Sequence, residues 1–249
     1  MDNIKGNILK GGRNFYGVPI GIICLDVRSP KPPGDLGNGF TFDFPVRYKV
    51  VRGINTKQMV QNPDRSVLNS FIEAAQELEL EGVRAITTSC GYLAWFQKEM
   101  ADSVNIPVFT SSLMQLPMVA RMLKSDQKVG ILCADGRTLS PDHLKAVGIT
   151  DIPVIIKGPE EDAPVFYNTY PTGGLTLDYT ACREEVVDMV RSLLIEHPEI
   201  GAIVCEGTNY SNFRSAVIEA TGIPFFDIVT LTRMVYQCIC PIALPQGCM

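Results

Sequence analysis

Thr87-Thr88-Ser89-Cys90-Gly91-Tyr92 sets a thiol among three hydroxyls, at the point where one apolar run stops and the next begins. A thiol can exchange a proton with a carbon acid or attack an electrophile, and both jobs need it held at a cleft. The run AITT reads as the end of a strand and Tyr92 to Val104 (YLAWFQKEMADSV) as a helix, so Cys90 is expected at a strand's carboxyl end beside a helix N-terminus. Backbone N–H groups and the helix dipole there favour thiolate over thiol and would also favour a substrate carboxylate. The competing reading is a small buried residue at a tight turn, which would not need so many polar neighbours.

The other seven cysteines carry weaker signals. Cys24 and Cys133 lie inside apolar strand-like runs and read as core fillers. No Cys-x-x-Cys pair occurs, and the two histidines, His143 and His197, stand in polar contexts that suggest no pairing with a thiol. Cys238, Cys240 and Cys248 near the carboxyl end could hold a soft metal only with a fuller ligand set than the sequence offers, so no metal is expected.

The elements that must position Cys90 follow from periodicity. Val18 to Asp26, Val83 to Thr88, Val129 to Ala134, Val154 to Ile156 and Ala202 to Cys205 are strand-length runs too apolar to have a solvent face. Ser66 to Leu80 and Cys182 to Ile195 carry apolar residues at helical spacing. Alternation of the two implies an α/β chain with parallel sheets and right-handed crossovers. The segment from Ser29 to Pro45 (SPKPPGDLGNGFTFDFP) is too long for an ordinary connection. It reads either as a surface excursion leading to an edge strand, Val46 to Val51, or as a lid over a pocket at the strand ends. Its glycines do not have dinucleotide-binding spacing, and no P-loop is present.

The chain also repeats itself. An offset of 117 residues superposes Ala85 on Ala202, Ile86 on Ile203, Phe96 on Phe213, Pro107 on Pro224 and Phe109 on Phe226. An offset of 109 superposes GIICLD, from Gly21, on GILCAD, from Gly130. Two windows in the same order indicate a duplicated α/β unit. The expected architecture is two pseudo-symmetric lobes, each a mostly parallel sheet flanked by helices, with the active site in the cleft between them. Residues 16–112 with 228–249 form the first lobe and 113–227 the second. At the 117 offset, Cys90 meets Gly207 within AIVCEGTNY.

Composition bounds the partners. The net charge of −5 and the lack of any basic run argue against nucleic acid or an anionic membrane surface, leaving a small molecule as ligand. No apolar stretch of membrane-spanning length and no export signal is legible, so the cytoplasm is the expected compartment. A homo-oligomer stays open.

Taken together, the Ser-Cys-Gly at a first-half strand end, the Glu-x-Thr-Asn at its second-half counterpart and the PPGDLGN loop resemble the aspartate/glutamate/hydantoin racemase superfamily, over nearly the whole chain. The resemblance implies a cofactor-independent enzyme in which one thiol from each half flanks the α-carbon of a small carboxylate such as an amino acid. Cys90 would be the first acid/base group. Thr88, Ser89, Gly91 and Tyr92 would surround the substrate carboxylate from one half and Thr208 and Asn209 from the other, with Asp26 and Thr138 at the mouths of the matching first strands. Glu206 belongs to the same wall, although strand parity aims it at the opposite face unless the strand has ended.

The second half departs from the family pattern, because Gly207 stands where the partner thiol belongs. Cys205, two residues back on the same strand face, could substitute only from about 7 Å deeper. The resemblance therefore implies racemase or isomerase chemistry by proton transfer, with three alternatives. One is a single-cysteine decarboxylase of a malonate-type acid, using space freed at Gly207. Another is cis-trans isomerisation through a Cys90 adduct. The third is a pseudo-enzyme that binds a carboxylate without chemistry. Tyr48, Tyr92 and the Asn38 region would set specificity.

Overall fold

The computed structural model describes residues 4–5, 8–9, 11–61 and 64–240. A short antiparallel hairpin, β1 (Ile4–Lys5) with β2 (Ile8–Leu9), precedes two separate four-stranded sheets. The first runs β4 (Val46–Val51), β3 (Ile20–Leu25), β5 (Ala85–Thr88), β6 (Val108–Phe109). The second runs β8 (Val154–Lys157), β7 (Lys128–Leu132), β9 (Ile200–Cys205), β10 (Phe225–Phe226). Every pairing within these two sheets is parallel. Read from one edge to the other, both have the same chain order.

That shared order is the duplication made visible. The 117 offset carries β6 onto β10, and it carries the 3-10 helix Gly91–Phe96 onto the 3-10 helix Thr208–Phe213. Gly21 and Gly130, paired at the 109 offset, occupy equal places in β3 and β7. A β-carbon there would stand 2.9 Å from the Leu78 side chain and 2.6 Å from that of Ile203, so both first strands dispense with a side chain where a neighbour presses in.

Helices α1 (Leu68–Glu81), α2 (Gln97–Asp102), α3 (Leu116–Met122), α4 (Pro141–Ala146), α5 (Pro164–Thr169), α6 (Tyr179–Glu196), α7 (Arg214–Thr221) and α8 (Ile228–Ile239) cover the sheets. Gly82 and Gly222 end α1 and α7 in the left-handed region, at φ 99° and 70°. The helix α8 returns to the first sheet, packing Ile228 and Leu231 among Ile20, Ile22, Phe42 and Phe44. Among the described residues no helix is long and apolar enough to cross a membrane.

Three local expectations change. The helix expected from Tyr92 is a 3-10 turn through Phe96 that becomes α-helical only at Gln97. The strand β8, expected to be covered on both faces, is a sheet edge whose Ile156 is 37% exposed. Of the three tail cysteines, Cys248 lies outside the described residues; Cys238 is exposed and Cys240 half-buried.

Candidate active site

The two repeated strand-to-helix turns face each other. In the first lobe β5 ends at Thr88, and Cys90 adopts an extended backbone, φ −141° and ψ 113°, just before the 3-10 turn. In the second lobe β9 ends at Cys205, and Gly207 is likewise extended before its own 3-10 turn. The turns touch directly: the Thr208 hydroxyl donates to the Ser89 carbonyl oxygen at 2.9 Å. Gly91 lies so close to Glu206 that a β-carbon at 91 would collide with its backbone oxygen and its carboxyl group.

A cavity opens at this junction. Ser89, Cys90, Gly91 and Tyr92 line it from the first lobe, and Glu206, Gly207, Thr208 and Asn209 from the second. The long loop after β3 closes it, contributing Ser29, Lys31 and Asp35, and Tyr170 stands on the far wall. The loop is fastened to the opposite lobe. Asn209 Nδ2 donates to Asp35 Oδ2 at 2.7 Å, and Ser29 Oγ donates to the Thr169 carbonyl at 3.0 Å. Gly34, at φ 108°, lets the loop backbone pass close over Asn212, where an added β-carbon would lie 3.4 Å from its Cα. Asp35 is 3% exposed, with its other oxygen accepting from Gly37 N at 2.8 Å.

The electrostatics differ from the sequence expectation in one important respect. The sequence context favours thiolate at Cys90, but its thiol is pushed up to about 12, first by burial and then by the nearby Glu206 carboxyl. The N–H groups of Tyr92 and Leu93 oppose this and lose. A six-residue 3-10 turn supplies few aligned dipoles, while desolvation in a closed cavity penalises any charge. Glu206 is itself pushed up to about 8 by burial, with Ala134 N donating to its Oε2 at 3.0 Å as the countervailing contact. Asp35 is also raised by burial, with Gly37 and Asn209 pulling it down.

Several expected residues stand elsewhere. Cys205 is 0% exposed, packed in the second lobe's core with Tyr210, Ile203 and Phe225, and cannot present its sulfur to the cavity. Burial holds its thiol well above the ordinary range. Thr88 is buried behind Cys90, its hydroxyl bonded to the carbonyls of Thr110 and Cys90 at 2.7 and 2.9 Å. Asp26 instead accepts from Gly53 N at 3.1 Å and faces Arg52. Thr138 sits behind Tyr92, with 3.0 Å between the two hydroxyls. Glu206 does reach the cavity, because β9 stops one residue before it and the alternation of faces stops too.

Gly207 does not leave free space. A β-carbon there would come within 2.9 Å of the Tyr210 ring, which is fully buried and stacks on Phe166 with 4.3 Å between centroids. The site a second thiol would need is filled by an aromatic side chain. Lys31, Asp35 and Tyr170 line the cavity without a sequence pattern that assigns them to it. The loop's length was a signal for the first two, and nothing marked Tyr170.

No protein-family model matches the chain. Among curated proteins it is similar to a dimethylsulfoniopropionate lyase of Durusdinium sp. clade D, 31% identical over 223 residues, covering 87% of this chain and 73% of the relative. It is also similar to dimethylsulfoniopropionate lyase 3 of Emiliania huxleyi, 32% identical over 222 residues and covering 85% of this chain, but only 57% of that longer relative. Among solved structures it resembles an aspartate racemase homologue from Pyrococcus horikoshii OT3, with TM-score 0.55, 16% identity and coverage of 89% of this chain and 98% of the other. It also resembles unliganded arylmalonate decarboxylase, with TM-score 0.55, 12% identity and coverage of 89% and 92%. These structures confirm the two-lobed racemase-type fold and, at such identities, the fold alone. The relatives, named as lyases, overturn the racemase or isomerase activity expected from the resemblance; what this chain shares with the racemases is the fold.

Proposed function

The chain belongs to the dimethylsulfoniopropionate lyase family, and from that premise we propose that it is a carbon–sulfur lyase acting on a small carboxylate with a sulfonium group β to the carboxyl. The observation that carries this reading is the enclosure of Cys90 in the interlobe cavity beside groups of both signs. Lys31 and the N–H groups of the Cys90 turn suit a carboxylate. The Tyr170 ring and the Asp35 carboxyl suit a sulfonium cation, which an aromatic face and an anion both attract.

Elimination from such a substrate needs one base. Cys90 as thiolate takes a proton from the α-carbon, the C–H electrons form the new double bond, and the C–S electron pair leaves with sulfur as neutral dimethyl sulfide. Acrylate remains, and the proton rests on Cys90. A thiol held near 12 is seldom ionised, but its thiolate is a correspondingly strong base, and a sulfonium bound beside it favours that thiolate. One base suffices because no proton returns to the opposite face of the carbon, so Gly207 is no defect.

Incubation of the protein with dimethylsulfoniopropionate, with dimethyl sulfide followed in the headspace and acrylate in solution, tests the reading. Equimolar release above the uncatalysed rate is expected. No release, from protein shown to be folded, would refute it.

A further inference from the structure

We propose that Glu206 is the second proton-transfer group of this site, taking from Cys90 the proton that must leave before the thiolate can act; this rests on the lyase reading above. Four observations support it. Glu206 is 1% exposed, yet it lines the same cavity as Cys90. Its carboxyl is set against Gly91, the residue that follows Cys90, at a distance only glycine allows. Among the described residues its carboxyl accepts one hydrogen bond, from Ala134 N, which fixes the group without neutralising it. It also follows the end of β9, so its direction is set by the duplicated turn rather than by the strand.

A buried carboxyl with no cation against it is costly unless it works or binds. The titratable groups that face it are Cys90 and Tyr92 from the first lobe and Cys133, Cys205 and Tyr210 from the second. None is a cation. Across the cavity stand Asp35 and Lys31, the one cation on the wall among the described residues. Burial raises Glu206 to about 8 and Cys90 to about 12, so the empty site at neutral pH holds both protons.

The proton count then closes. Entry of a sulfonium cation expels one proton to solvent, and it comes from Glu206, the weaker proton holder. The Cys90 proton passes to the Glu206 carboxylate, giving thiolate and neutral carboxyl with no change in the cavity's total charge. The thiolate takes the α-proton, the C–S bond breaks, and dimethyl sulfide and acrylate leave both groups protonated again. One proton is released per turnover, as the elimination requires.

The test is the pH profile of the wild type against Glu206→Gln and Glu206→Asp, with dimethyl sulfide release as readout. For the wild type, kcat/KM should rise with pH and level off near about pH 8, because the carboxylate is the form that accepts. Glu206→Gln should lose that limb and about 10²–10⁴-fold in kcat with little change in KM, and Glu206→Asp should restore part of both. Wild-type activity with a flat profile, or a Glu206→Gln enzyme keeping wild-type kcat, would overturn the role of Glu206 and leave the lyase reading standing. Inactive wild type would overturn both. If the Gln variant does not fold, the wild-type profile alone decides.

Discussion

The Thr208 hydroxyl donates to the Ser89 carbonyl oxygen across the cleft at 2.9 Å, joining the two repeated turns at the residues beside Gly207 and Cys90. The bond holds the lobes at a fixed separation where the cavity forms. Each turn presents its backbone outward from the end of a buried strand, so small shifts between the lobes change the spacing of Cys90 and Glu206 directly.

Replacing Thr208 by valine keeps the shape and removes the donor. The expected cost is about 0.5–1.5 kcal/mol, since the half-buried Ser89 carbonyl loses its partner. The expected kinetic effect is a fall in kcat of tenfold or more from misplacement across the cleft. Denaturant midpoints and steady-state rates would show both; a variant matching the wild type in each would mean that the bridge does not set the cavity.

The Asp35–Asn209 bond at 2.7 Å fastens the long loop to the second lobe. Asn209→Ala removes the 2.7 Å donor from Asp35, leaving Gly37 N and the Asn212 side chain beside it, and should loosen the loop. Limited proteolysis between 29 and 45 should accelerate and KM should rise, while the sheet strands keep their hydrogen-exchange protection. Unchanged cleavage in that loop would show that the fastening lies elsewhere.

Much of this arrangement was legible from the amino-acid sequence, and the limits have physical causes. The repeat offsets locate both turns because β5 with its turn and β9 with its turn must meet the same geometry, which keeps Ala85, Phe96 and Pro107 matched to their counterparts. Parity alone leaves the direction of Glu206 open, because alternation predicts direction only while the strand lasts, and β9 ends at Cys205. The Tyr210 ring in the space beside Gly207 is a packing fact that no spacing reveals. The thiol's raised affinity for its proton depends on enclosure by a loop that starts 61 residues earlier in the chain, at Ser29.

Restoring a thiol at 207 provides a check on that packing. Gly207→Cys forces its β-carbon against the Tyr210 ring, whose hydroxyl donates to the Cys133 carbonyl at 3.2 Å and whose face stacks on Phe166. Overpacking of this kind should cost about 1–3 kcal/mol. Chemical denaturation reads it, and a stability equal to the wild type would mean that the ring yields freely.

Glu206 also predicts how stability depends on pH. Its folded value, about 8, lies above the ordinary 4.5, so between these values the native state binds more protons than the unfolded state. Stability is therefore lost progressively as pH rises from about 4.5 to about 8. Glu206→Gln removes this contribution, so the Tm of the variant minus that of the wild type should increase across the window. A difference independent of pH would contradict the burial assigned to the carboxyl.

The most direct measurement compares dimethyl sulfide release from dimethylsulfoniopropionate by the wild type, Cys90→Ser and Cys205→Ser, each confirmed folded by circular dichroism. Release is expected from the wild type and from Cys205→Ser, whose sulfur is packed in the core, and a loss of at least about 10²-fold from Cys90→Ser. Full activity in Cys90→Ser, or none in the wild type, would contradict the assignment of the chemistry to the cavity thiol.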